Sequence, residues 1–209
     1  MVTMKKLLLT SAGFLNPEIS DVFLELLNKP TSEIKIIFVP TASRTEEELK
    51  YVRESKEELI ALGIKSRNIK NLDSNLKVSY NEVKGFDVIY VCGGNTFYLL
   101  SKVRETIFDD VIKKFVKDGG LYVGVSAGSI IVGPNIEIAG WGSHRDENDI
   151  QLKNLIGLNI TNIAVYPHFE EQLQQEVEEF KKKVKYPIVV LNNNQALLIL
   201  DSKTKIIGK

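Results

Sequence analysis

Short apolar runs recur along this chain, each closed by a turn residue and followed by a stretch with helical spacing. That alternation limits the fold more than any other feature. Lys6–Thr10 reads as a strand. Residues 18–28 carry Ile19, Val22, Phe23, Leu26 and Leu27 as a helical stripe. Residues 35–39 form a buried-type strand rich in β-branched side chains and ended by Pro40. Residues 45–62 begin acidic, as a helix N-terminus prefers, and Gly63 follows as a cap. A weak strand at 69–72 precedes a strong one at 87–92, which runs into Gly93-Gly94. Residues 96–118 read as helix in one or two pieces, stopped by Gly119-Gly120, and Leu121–Val125 is a further strand. This order predicts an α/β fold, a mainly parallel sheet flanked by helices on both faces.

The pattern changes after residue 133. Residues 134–154 are polar and hold Gly140, Gly142 and a charged cluster, so a long loop is expected there. Residues 159–166 read as a strand leading to Pro167-His168, and 170–185 as a charged amphipathic helix. Closing strands are expected at 188–191, Ala196–Leu200 and 205–207. No repeat, low-complexity stretch or linker divides the sequence, and 209 residues can bury one full core, so a single domain over 1–209 is expected.

Lys plus Arg equals Asp plus Glu at 27 each, which gives no global field for nucleic acid or an anionic membrane. A single cysteine, Cys92, excludes an intrachain disulfide and fits a reducing compartment. The apolar run near the N-terminus, Leu7-Leu8-Leu9, is too short for the core of a signal peptide. No run approaches the roughly 18 apolar residues of a membrane span. The expectation is a cytoplasmic protein.

The chemistry concentrates where strand Leu121–Val125 meets Gly124-Val125-Ser126-Ala127-Gly128 and then Ile130-Ile131-Val132. This is G-x-S-x-G between a strand and a helix. A serine on so sharp a turn projects its hydroxyl from a strained backbone, and small neighbours avoid clashes. The helix start behind it offers free N–H groups to developing negative charge. A plain Gly/Ser turn is the alternative.

Serine needs a base, and the chain has two histidines. His168 follows a predicted strand, and in open parallel sheets active sites gather at the strands' carboxyl ends. His144 lies in the polar loop, where it reads equally well as a solvated residue. A second glycine corner, Gly93-Gly94-Asn95-Thr96, also follows a strand, and its N–H groups suit an oxyanion. No G-x-G-x-x-G and no Walker lysine supports a nucleotide. Cys92 is expected to point into the core. No metal site is expected, because two histidines without an H-x-x-x-H or cysteine pair make a poor ligand set.

With these elements placed, the chain resembles the S51 serine peptidases, the family of aspartyl dipeptidase (peptidase E) and cyanophycinase. The residues that carry the likeness are Gly93-Gly94-Asn95-Thr96-Phe97 with Leu99-Leu100, then Leu121 through Gly128, then Pro167-His168-Phe169; Phe38-Val39-Pro40-Thr41-Ala42 matches the second-strand segment. The resemblance implies a class I glutamine amidotransferase-like (flavodoxin-like) sandwich and cofactor-free peptide hydrolysis through an acyl-enzyme. It makes Ser126 the nucleophile and His168 the base. It places the N–H groups of Gly94 and Ala127 in the oxyanion hole and Asn95 beside the substrate.

The third triad member breaks the pattern. The window where the family carries an acid reads Trp141-Gly142-Ser143-His144, and the nearest acids are Asp146, Glu147 and Asp149. Asp146 is the expected orienting acid. A cation for an acidic substrate is also missing from residues 170–185 among arginines, which leaves Arg145, Lys181 or Lys182 as substitutes. The expected partner is a small peptide, with a homodimer left open and Trp141 either a dimer contact or a substrate lid. The leading expectation is a serine exopeptidase on short peptides, Asp-containing ones among them. The rivals are a cyanophycinase-like β-aspartyl peptidase and a binding protein that turns nothing over. An amidotransferase would ordinarily need a cysteine where Ser126 stands.

Overall fold

A computed structural model describes residues 3–72 and 76–208. Strand β1 (Lys6–Thr10) lies in the interior of a seven-stranded sheet. Helix α1 (Pro17–Leu27) starts on Pro17, with the Asn16 side chain accepting from the N–H of Glu18. Strand β2 (Ile36–Val39) is buried throughout. Helix α2 (Glu46–Ala61) opens with a capping box between Thr45 and Glu48, and three glutamates occupy its first turn. Strand β3 (Ile69–Asn71), the short helix α3 (Tyr80–Val83) and strand β4 (Val88–Val91) follow.

The helical stretch expected over 96–118 is two helices, α4 (Thr96–Glu105) and α5 (Phe108–Lys117). Ile107 breaks them apart in a left-handed conformation, φ 60°. Strand β5 (Leu121–Val125) runs into the single-turn helix α6 (Ala127–Ile130).

With β8 (Ala196–Leu200) and β9 (Lys203–Ile207) near the end of the sequence, the sheet order is β3-β2-β4-β5-β1-β8-β9. The first five strands are parallel, while β8 and β9 extend the sheet as an antiparallel hairpin beside β1. Because side chains alternate along a strand, Leu7 and Leu9 point into one core and Leu8 into the other. One core packs β1, β4 and β5 against α4, α5 and α6. The opposite core packs them against α1 and α2. Burying each such leucine contributes about 1.5–3 kcal/mol, and both faces must be covered to collect it.

Two expectations change. Only Ala164–Tyr166 of 159–166 is strand (β6), and it pairs in parallel with β7 (Ile188–Val190) in a separate two-stranded sheet. The preceding residues bend back: the N–H groups of Leu158, Asn159 and Ile160 donate to the carbonyls of Ile131, Gly133 and Val132, which close the segment after α6. The charged helix is also shorter than expected, a 3-10 turn at Glu171–Leu173 followed by α7 (Gln174–Lys181). Among the described residues no helix is long and apolar enough to cross a membrane.

Candidate active site

The parallel strands all point the same way, so the residues that leave their carboxyl ends converge on one edge. Ser11 follows β1, Ser43 lies just beyond β2, Gly93-Gly94 follows β4 and Ser126 follows β5. His168 and Asn193 leave the ends of β6 and β7, the separate pair that packs beside them.

Ser126 has φ 48° and ψ −108°, a combination L-residues avoid at a cost of about 1–3 kcal/mol. Its surroundings hold it there. The Ser126 N–H donates to the carbonyl of Thr10. The Ser129 hydroxyl lies 2.8 Å from the Thr10 carbonyl and 2.9 Å from that of Gly124, and Tyr122 donates to the Gly128 carbonyl at 2.7 Å. The glycines of the motif answer to crowding: a β-carbon on Gly128 would come within 2.3 Å of the Val91 carbonyl, and one on Gly124 within 2.6 Å of Gly128. The sequence pattern therefore reflects a helix start pressed onto two strands.

His168 Nε2 lies 2.9 Å from Ser126 Oγ. Its Nδ1 lies 2.7 Å from Oδ1 of Asn193. Since an amide oxygen can only accept, this pairing places the proton on Nδ1 and leaves Nε2 free to take one from serine. The Ser11 hydroxyl accepts the backbone N–H of His168 at 2.7 Å and donates to Asn193 Oδ1 at 3.3 Å. His168 itself has φ 55°, a further non-glycine residue in the left-handed region.

Asp146 is not the partner of His168, which corrects the expected triad. Its carboxylate accepts the N–H of Thr96 at 2.9 Å, at the first residue of α4. An N-terminal N–H without an intrahelical partner, reinforced by the helix dipole, is a strong claim on a nearby anion. Burial raises the Asp146 pKa above the ordinary carboxylate value, against the lowering effects of Thr96 and, more weakly, His168. Asp149 pairs with Arg44 at 2.8 Å instead, while Glu147 uses its backbone carbonyl to accept from Asn95.

Asn95 also departs from its expected place. Its Oδ1 caps α4 by accepting from Tyr98 N–H at 2.9 Å, and its Nδ2 donates to the Glu147 carbonyl at 2.8 Å. Buried with both ends engaged, it holds the corner and the 146–149 loop together, and it does not line the cavity over Ser126.

Gly94 does line that cavity. Its φ of 128°, and the 2.3 Å that would separate a β-carbon from the Ala42 carbonyl, admit only glycine. The Ser43 hydroxyl donates to the Gly93 carbonyl at 2.8 Å and the Asn95 N–H to the Ala42 carbonyl at 3.0 Å, which fixes the corner on both sides of Gly94. The N–H groups of Gly94 and of Ala127, the first residue of α6, donate to no other group among the described residues. Cys92 is buried, which raises its thiol pKa far above the usual range.

Two cavities meet at Ser126 and His168. The larger, of about 540 Å³, is walled by the turn after β1, α2 and the Gly93-Gly94 corner. The smaller, of about 70 Å³, is lined by Ile130, Ile138, Trp141, His144 and Tyr166. Trp141 is fixed as its wall: the indole N–H donates to the Glu176 carbonyl at 2.8 Å and the ring packs on Phe180. Arg145 lines a separate cavity with Phe97 and Glu137, and Lys181 pairs with Glu178.

Fold and edge together define a class I glutamine amidotransferase-like α/β sandwich with Ser126 and His168 in contact at its carboxyl edge. Within that class, the protein-family model described as Peptidase family S51 matches residues 7–207, and the chain belongs to that family. An uncharacterized peptidase of Pasteurella multocida is 30% identical over 98% of this chain and 97% of its own length. An uncharacterized peptidase of Listeria monocytogenes is 32% identical over 94% and 95%. Peptidase E of a Nostoc species is 29% identical over 83% of this chain and 72% of its own. A crystal structure from Listeria monocytogenes, described as a candidate peptidase E, superposes with TM-score 0.80 at 31% identity, covering 99% of this chain and 100% of that one.

Proposed function

We propose that this member of a peptidase family is a serine-type exopeptidase that hydrolyses short peptides through an acyl-enzyme. The observation that carries the reading is the 2.9 Å contact between His168 Nε2 and the hydroxyl of a backbone-strained Ser126. Ser126 Oγ attacks the peptide carbonyl while its proton passes to His168 Nε2. The Nδ1–H stays hydrogen-bonded to Asn193 Oδ1 and orients the cation that forms. The N–H groups of Gly94 and Ala127 receive the oxyanion. The C–N bond then breaks, the Nε2 proton goes to the leaving amine, and a water deprotonated by the same nitrogen hydrolyses the ester.

A cavity of about 540 Å³ suits a few residues rather than an extended chain. Incubating the protein with α-linked, β-linked and neutral dipeptides, beside Ser126→Ala, tests the mechanism. Loss of turnover to below about a thousandth in the variant is expected. Undiminished turnover in a folded Ser126→Ala protein would refute it. One observation favours a second reading, a binding protein of low turnover: the partner of His168 Nδ1 is a neutral amide, which stabilises an imidazolium less than a carboxylate does.

A further inference from the structure

The larger cavity at Ser126 is lined by four carboxylates, Glu48, Glu54, Glu58 and Asp146, and among the described residues by no lysine or arginine. An anionic substrate group entering it would meet only like charge. Glu48 and Asp146 are committed to helix N-termini, the first capping α2 and the second on Thr96. Glu54 and Glu58 are different. They stand one turn apart on α2, where like charges repel. Glu54 faces Lys50 only at 3.7 Å in an exposed pair, too weak to neutralise it. Glu58 is half-buried, and among the described residues its one hydrogen-bond partner is the N–H of Phe14 at 3.2 Å.

A second observation marks the same wall. The Tyr90 hydroxyl is fully buried and has no hydrogen-bond partner among the described residues. It faces Ser55, Glu58 and Cys92, all of which line the cavity; Ser55 lies beside it without closing a bond of normal geometry. An unpaired hydroxyl is thus left over beside the half-buried Glu58. The rim is apolar: Leu15 and Tyr51 are exposed there, beside Val52. An apolar collar leading to clustered carboxylates matches one kind of side chain, an aliphatic stem that ends in a cation.

We propose that the cavity walled by α2 selects short peptides carrying a lysine or arginine side chain, received by Glu54 and Glu58 with the stem against Leu15, Tyr51 and Val52. This names the substrate class of the peptidase reading above and rests on it. It runs against acidic substrates, since neither Arg145 nor Lys181 reaches this cavity.

The test uses binding as well as turnover, so that the two readings fail separately. Calorimetric titration of the Ser126→Ala protein with Lys-Ala, Ala-Ala and Asp-Ala compares affinities without any chemistry. A charge-assisted hydrogen bond corresponds to about ten- to hundredfold in affinity, so Lys-Ala is expected to bind at least tenfold more tightly than Asp-Ala. Glu54→Gln and Glu58→Gln, introduced singly into that protein, are each expected to shrink the Lys/Asp ratio severalfold. Equal or reversed affinities, or a ratio that survives in both variants, overturn the proposal whether or not the wild type turns peptides over. Selective binding together with an inactive wild type would instead retain the cationic pocket and discard the peptidase reading.

Discussion

Replacing Asn193 tests the site at its least expected point. Its Oδ1 accepts from both His168 Nδ1 and the Ser11 hydroxyl, so Asn193→Ala removes two bonds and leaves the imidazole to rotate about its side-chain torsions. In the transition state the lost partner faces an imidazolium, and a hydrogen bond to a charged group is worth about 1.5–3 kcal/mol, or roughly 10–150-fold in rate. The fall should appear in kcat, because the free enzyme makes only the weaker neutral bond. Asn193→Asp keeps the shape and adds a charge at the same 2.7 Å. Charge-assisted bonds are roughly twice as strong as neutral ones, so a gain of about 1 kcal/mol, near fivefold in kcat, is expected where His168 is neutral. Because the added charge also favours the imidazolium in the resting enzyme, the gain fades as pH falls and the acid limb of the profile moves to higher pH. The assay is steady-state hydrolysis of one dipeptide across pH, with circular dichroism to verify folding. Asp146→Asn runs beside it and should cost much less than Asn193→Ala. Wild-type kcat in Asn193→Ala, or a larger loss in Asp146→Asn, would refute the assignment and return the orienting role to Asp146.

Two further predictions follow from the glycine corner and the buried acid. Gly94→Ala places a β-carbon 2.3 Å from the Ala42 carbonyl at a φ of 128°, so the corner must shift; a loss of about 2–4 kcal/mol by denaturant unfolding is expected, with turnover lost more steeply than stability, and an unchanged unfolding midpoint would contradict it. For Asp146, burial holds the folded-state pKa above the unfolded value, so the folded protein binds the extra proton in the window between the two, and stability falls as pH rises through it. Asp146→Asn should therefore raise the melting temperature at neutral pH and lose that advantage below the ordinary carboxylate range; a lowered melting temperature at neutral pH would show that the bond from Thr96 outweighs the desolvation.

What the sequence determined by itself was local. Each buried strand is a short apolar run, because a strand covered on both faces has no polar side to show. The crowded turn at Ser126 left its mark in the sequence because Gly124 and Gly128, each two residues from it, are demanded by contacts with Gly128 and with Val91. The Gly94 corner is marked for the same reason, and His168 was expected near Ser126, where it lies, because strand ends gather on one edge.

The tertiary structure alone decided which groups meet. Asn193 lies 25 residues from His168 and Ser11 lies 157, and nothing in Asn192-Asn193-Asn194 separates a turn from a histidine partner until β6 and β7 pair. Spacing along the chain favoured Asp146, but the N-terminus of α4 took its carboxylate, a competition that proximity in sequence does not reveal. The acids that open α2 likewise read only as a helix dipole complement until the order β2-β4-β5-β1 brought that helix over Ser126. Local backbone demands leave a mark on neighbouring residues, whereas the partner of a side chain is set by strand order and by whichever donor reaches it first.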